Sequence, residues 1–237
     1  MKVTLISHTP DAVNLLLFTK STRLNLSPGL MDEIRAWPEE KKMQELEYMS
    51  NTIPSSWEFV DYTFLVEGVS RAYTHQQVRT RAASYAQQTM RVLNMGDFDY
   101  VYTDAILAWP EAKAEIDSVL ARIKDGYGLL TKEGLAPEDA RGILPTNIAT
   151  NIVCKFNLRT FVELAKSRTG GRTQGEYQKV INAMCDEVLK VHPWAEKFLF
   201  KHGRDYFAEI EEFAKRKFPD LKERGELLKI VDAMRKG

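Results

Sequence analysis

The sequence predicts a single folded domain that mixes β-strands with α-helices, and three observations carry that reading. Its 237 residues are 44% hydrophobic and 28% charged, enough apolar material for an ample core. From Trp57 to Val69, aromatic and β-branched residues place Val60, Tyr62, Phe64 and Val66 on one side of an extended chain and Phe59, Asp61, Thr63 and Leu65 on the other. Elsewhere apolar residues recur at helical spacing, and no repeat, low-complexity tract or clear linker divides the chain. The expectation is one domain over residues 1–237, with helices at about 203–236 as an outer layer.

The elements follow in order. Val3 to Ile6 reads as an opening strand, and Pro10-Asp11 begins a helix carrying Val13 and Leu15 to Leu17. Residues 28 to 50 suit two helices, with Pro38 starting the second. After the Trp57 to Val69 strand, Ser70 is placed to cap a helix over about 71–81, which leads into a second extended segment. Residues 110 to 142 read as a solvated helical layer, with Pro137 opening its last short helix. A further strand is expected at Ile148 to Phe156, then a helix at Leu158 to Ser167, a turn at Gly170-Gly171, a long amphipathic helix to about Val191 and another from Pro193-Trp194. The final stretch, with Phe207, Ile210, Phe213, Leu227, Ile230 and Val231, reads as an outer helix pair.

Charge excludes some partners. Lys+Arg and Asp+Glu are both 33, so the molecule as a whole offers no attraction for a nucleic-acid polymer or an anionic membrane. The N-terminal apolar run is broken by His8, Pro10 and Asp11 before it reaches the length of a signal peptide or membrane span. Cys154 and Cys185 lack metal-site or redox-motif spacing and read as buried, reduced core residues. A soluble, cytoplasmic protein is expected.

Within this neutral balance the basic residues are concentrated. Between Gly68 and Gly96 stand Arg71, Arg79, Arg81 and Arg91 with no Asp or Glu, and between Arg141 and Arg172 six basic residues face only Glu163. Arginine's planar fork forms paired hydrogen bonds to phosphate. The same residues could instead serve as ordinary surface partners for the acidic helices at 28–50 and 205–226, and charge alone does not decide between the two. On a helix over 71–81, Arg71, His75 and Arg79 share a face, with Gln76 beside them. Ser84, Tyr85, Gln87, Gln88 and Thr89 add neutral donors and acceptors with almost no aliphatic bulk, a composition suited to a polar heterocycle carrying a phosphate.

The run Arg79-Thr80-Arg81-Ala82-Ala83-Ser84-Tyr85-Ala86-Gln87-Gln88-Thr89-Met90-Arg91 resembles RHRxxSxNxxSxR, the signature of the flavin-dependent thymidylate synthase (ThyX) family. Arg79, Arg81, Ser84 and Arg91 match, while Thr80, Ala86 and Thr89 replace His, Asn and Ser. Phe64 to Ala72 with His75-Gln76 also resembles the family, as do Leu144-Pro145-Thr146-Asn147, Asn157-Leu158-Arg159, Arg168, Glu176 and Pro193-Trp194. Ordered blocks at family-like separation make the resemblance specific over roughly residues 50–200.

The resemblance implies an α+β fold, an antiparallel or mixed sheet with flanking helices, assembled as a homotetramer whose active sites draw on several subunits. It implies transfer of a one-carbon unit from methylenetetrahydrofolate to dUMP, with NADPH-reduced FAD as hydride donor and no cysteine nucleophile. It also implies FAD contacts at Ser55, Arg79, Thr80, Arg81, Gln87, Asn157, Arg159 and Glu163. The pyrimidine nucleotide would contact Gln76, Arg79, Gln87, Gln88, Thr89, Met90, Arg91, Arg141 and Arg168. Arg168 is the implied catalytic group, stabilising the deprotonated uracil ring. Read without the resemblance, it would simply end its helix against the dipole. No metal is implied.

Three histidines of the family are replaced: Thr80 in the signature, Arg172 after Arg168, and the segment Thr52 to Ser56, which has no His. In the family these touch the flavin, so their loss points to altered flavin affinity, altered folate access or a different nucleotide. UMP or dCMP is the alternative substrate, and a non-catalytic nucleotide- or flavin-binding homologue the alternative class.

Overall fold

The structure is a computed structural model and describes residues 1–22, 26–91, 98–169, 173–200, 210, 213–214, 217–218 and 221–236. Among these residues four antiparallel strands form one sheet: β1 (Lys2–His8), β2 (Asp61–Ser70), β3 (Ala83–Gln87) and β4 (Ala149–Asn157), in the spatial order β1-β2-β4-β3. The central pair β2 and β4 is in register so that Tyr62 faces Phe156, Phe64 faces Cys154 and Val66 faces Ile152, all buried. Side chains alternate across a pleated strand, which is why the period-two pattern at 60–66 turned one row inward.

The register shifts between Val66 and Val69, where Gly68 takes φ +64 and donates its N–H to Asn151 Oδ1 at 2.9 Å. A β-carbon there would lie 3.3 Å from the Met1 nitrogen as well as demanding a left-handed backbone, so glycine suits this bulge.

Before the second strand come α1 (Ala12–Ser21), α2 (Leu30–Arg35) and α3 (Glu39–Thr52), with Pro38 at the position just before α3. Residues Pro54–Phe59 form a 3-10 turn, so β2 begins four residues later than the sequence pattern indicates. Pro54 presets the turn, and the Trp57 indole donates to the Met49 carbonyl at 3.1 Å, drawing the aromatic residue out of the strand.

Next come α4 (Arg71–Gln77), α5 (Asp104–Leu107), α6 (Pro110–Lys132) and α7 (Pro137–Ala140), followed by α8 (Leu158–Arg168), α9 (Gly175–Val191) and α10 (Glu196–Leu199). Helices α8 and α9 pack together, and α9 lies against β1 and β2. Phe161 of α8 meets Tyr62, Phe64 and Phe156 at ring separations of 5.4–6.1 Å. Burying each such ring contributes roughly 2–3 kcal/mol. A second small core of Phe98, Tyr127, Ala140 and Ile148 anchors the α6–α7 layer.

Residues Met1–Leu199 form one compact unit. Phe200–Gly237 form another, in which α11 (Leu221–Lys236) is described. The first of the two expected C-terminal helices, the Gly170-Gly171 turn and Arg172 lie largely or wholly outside the described residues. Both cysteines are free and buried, and burial pushes each thiol up to about 12.

Candidate nucleotide and flavin site

The site is organised around α4. Ser70 ends β2 and caps the helix, its Oγ accepting from Tyr73 N–H at 3.0 Å. Its own N–H and hydroxyl donate to the two carboxylate oxygens of Glu176 at 2.7 and 2.5 Å. That clamp fixes the start of α9 beside the start of α4.

Helix α4 ends at Gln77, four residues short of the expected helix over 71–81. Arg79 N–H and Thr80 N–H close tight bonds to the carbonyls of Gln76 and Gln77 at 3.2 and 3.1 Å. The Tyr85 hydroxyl stands 2.8 Å from the carbonyls of both Gln77 and Thr80. The helix is thereby stopped by a tertiary contact that satisfies its last carbonyls. Arg79 consequently leaves the Arg71–His75 face, and the three-residue stripe expected from four-residue spacing is reduced to two.

At the N-terminal end of α4, Arg71, His75, Met90, Arg141, Gly142, Leu144, Pro145, Thr146 and Ile148 line a cleft of about 320 Å³. Arg71 donates from Nε to Met90 Sδ at 2.9 Å and from Nη2 to the Gln88 carbonyl at 3.4 Å, with no carboxylate partner among the described residues. Burial, and then repulsion from Arg141, hold Arg71 below the usual arginine range. Glu138 gathers two further cations here: its carboxylate pairs with Arg91 Nε at 2.6 Å, and its carbonyl accepts from Arg141 Nε at 3.1 Å. Like charges held together in a cleft make a receptor for an anion. Arg71 stands in the acid-free run of the sequence, but the resemblance implies no contact for it.

Along the strand that follows, Gln87 Nε2 donates to Thr74 Oγ1 at 2.7 Å, turning the side chain toward α4. Gln88 exchanges bonds with Asn151, from N–H to its carbonyl at 3.0 Å and through the side-chain amides at 3.1 Å. Thr89 Oγ1 accepts from Arg91 N–H at 3.0 Å.

At the other end of α4, Gln76 Nε2 donates to Gln174 Oε1 at 3.1 Å, just before α9. Arg79 and Arg81 are exposed and face no carboxylate among the described residues. Arg168, the last residue of α8, lies with its guanidinium carbon 5.2 Å over the Tyr177 ring. Tyr177, which reads in sequence only as part of the apolar stripe of α9, is fully buried in this group.

A third set lies at the opposite end of α8. Asn157 caps that helix through Oδ1 to Thr160 N–H at 2.9 Å. Arg159 pairs with Glu58 at 2.7 Å and Glu163 at 3.4 Å. Ser55 belongs to the 3-10 turn that carries Glu58 and packs on α8. With 1.5 Å of rise per residue, the length of α8 puts this set on the order of 15 Å along the helix from Arg168. Thus Arg71, Arg91 and Arg141 come together around Glu138, Thr80 and Arg168 meet at Tyr177, Gln76 joins Gln174, and Ser55, Asn157, Arg159 and Glu163 lie away from them toward the start of α8.

Known proteins resemble this chain over most of its length. A flavin-dependent thymidylate synthase from Nitratidesulfovibrio vulgaris is 34% identical over 208 residues, covering 79% of this chain and 83% of the relative. One from Clostridium tetani is 31% identical over 211 residues, covering 81% and 84%. The crystal structure of ThyX from Helicobacter pylori, complexed with FAD and dUMP, aligns with a TM-score of 0.67 over 85% of this chain and 98% of that one. At 16% identity that likeness is one of fold. The family model described as thymidylate synthase complementing protein matches residues 4–194, the span that holds all three sets of residues, and the chain belongs to that family.

Proposed function

We propose that the chain is a flavin-dependent thymidylate synthase, converting dUMP to dTMP with methylenetetrahydrofolate as one-carbon donor and NADPH-reduced FAD as hydride donor. The observation that carries the reading is the pair of arginine groups at the two ends of α4, in which Arg71 at one end and Arg79 and Arg81 at the other have no carboxylate partner among the described residues. Seven residues of helix set them roughly 10 Å apart, a span that suits a nucleotide monophosphate lying alongside.

The phosphate is held by Arg71, Arg91 and Arg141, with Gln88, Thr89 and Met90 shaping the wall. Paired guanidinium donors give the direction as well as the charge of that grip. Gln76, Arg79 and Gln87 address the sugar and base. Arg168 places a cation beside the pyrimidine, where it favours loss of the ring proton and makes the 5-carbon nucleophilic; one well-placed donor of this kind contributes about 3–4 kcal/mol.

The exposed cations of the Arg79-Thr80-Arg81 turn fit a flavin's anionic and carbonyl groups, and Ser55, Asn157, Arg159 and Glu163 are the remaining flavin contacts. FAD supplies the hydride when bound. Because Asn157 and Arg159 stand at the far end of α8 from Arg168, a single protomer offers only parts of the site. A homotetramer joining faces of different protomers completes it. Among the described residues no helix is long and apolar enough to cross a membrane, and we place the enzyme in the cytoplasm, without a membrane or nucleic-acid polymer as partner.

The test is incubation of the purified protein with FAD, NADPH, methylenetetrahydrofolate and dUMP, UMP or dCMP in turn. The expected result is dTMP from dUMP alone. Product from UMP or dCMP but not from dUMP would overturn the reading.

A further inference from the structure

Tyr177 has no role in the reading above, yet its position is closely defined. The ring is fully buried beneath Arg168 and meets Tyr73 edge to face at 5.3 Å. Tyr73 is itself tied by its hydroxyl to Gln77 Oε1 at 3.1 Å, so Tyr177 rests on a fixed support. Arg168 Nε is buried and has no hydrogen-bond partner, although the residue as a whole is only half-buried. One edge of the guanidinium therefore faces the protein interior while the rest remains toward the surface.

The Tyr177 hydroxyl is likewise buried without a hydrogen-bond partner of normal geometry. Burial raises its pKa, and neighbouring Thr80 and Arg168 draw it back, which places both beside the hydroxyl. Two adjacent buried polar groups lacking partners are uncommon in folded proteins.

We propose that Tyr177 is a positioning residue for Arg168. The ring face seats the cation, and the hydroxyl links Arg168 Nε to Thr80 when the nucleotide is in place, fixing the guanidinium plane toward the base. This rests on the reading of Arg168 as the group that faces the pyrimidine. A cation over a desolvated ring is held in direction as well as position. A long, flexible side chain fixed in this way acts on the transition state without first having to be ordered.

The test compares intact, FAD-loaded wild type with Tyr177→Phe, which keeps the ring, and Tyr177→Leu, which loses ring and hydroxyl. Turnover should fall about 10-fold in the first and about 100-fold in the second, with KM for dUMP within about threefold of wild type and the flavin spectrum unchanged. A seat also shields Arg168, so phenylglyoxal labelling with peptide mapping should modify it several-fold faster in Tyr177→Leu than in wild type. Labelling requires no turnover, so failure of the functional reading leaves it a valid test of the seat. Equal kcat and equal Arg168 labelling in all three proteins overturn the proposal. Should Tyr177→Leu not fold, an unchanged kcat in Tyr177→Phe overturns it alone.

Discussion

The Glu176 carboxylate accepts from both the backbone N–H and the hydroxyl of Ser70, at 2.7 and 2.5 Å, and so joins the end of β2 to the start of α9. Hydrogen bonds to a charged group contribute about 1.5–3 kcal/mol each, and removing the acceptor leaves the Ser70 N–H unpaired. Glu176→Ala should lower unfolding stability by about 3 kcal/mol in a urea titration. A loss below about 0.5 kcal/mol would show that the clamp contributes little.

The cleft between Arg71 and Arg141 should recognise the phosphate and nothing else. Arg71→Ala or Arg141→Ala should raise KM for dUMP by about 10- to 100-fold, the loss of one charge-assisted contact. Binding of deoxyuridine, which lacks the phosphate, should be unchanged by calorimetry. An equal loss for nucleotide and nucleoside would move these arginines out of the phosphate site.

A histidine in the core makes stability depend on pH. His192 is buried with its ring 4.8 Å from His8, and the Tyr62 hydroxyl lies 3.0 Å from its Nδ1. Burial, and secondarily His8, lower its pKa from 6.5 to about 4. Between those values the unfolded chain binds the extra proton and the folded chain does not, so stability falls as pH drops from 6.5 toward 4 and this contribution is constant above 6.5. The effect should amount to about 1–2 kcal/mol after allowing for partial solvent screening. Unfolding curves at pH 7.5 and 5 should differ less in His192→Gln than in wild type, and equal differences would rule His192 out.

The two thiols should take no part in turnover. Burial raises both to about 12, so maleimide should label Cys154 and Cys185 only after denaturation. Cys154→Ala and Cys185→Ala should retain kcat within about twofold if they fold. Loss of activity without loss of stability in either would call for a thiol step.

How far the sequence was legible follows from where the causes lie. Ser70 was readable because a strand pattern ends there and a serine suited to capping follows it. The end of α4 was not, since Val78 to Arg81 contain no helix breaker and the stop comes from Tyr85 on the next strand. Trp57 looked like strand because its chemistry is that of a strand residue, whereas its indole is held by Met49. In the site, the signature singled out Arg79, Arg81 and Arg91, and a separate downstream resemblance added Arg168. Their division between the two ends of α4, and the burial of Tyr177 beneath Arg168, depend on packing that sequence spacing does not encode.

Arg168 is the residue on which the proposed chemistry depends most. Replacing it with alanine and measuring dTMP formation in the FAD-loaded enzyme is the most direct test, alongside elution volume and flavin absorbance. The proposed chemistry predicts a fall in kcat of at least about 100-fold, with elution volume and flavin absorbance unchanged. Near-normal turnover by Arg168→Ala would contradict it.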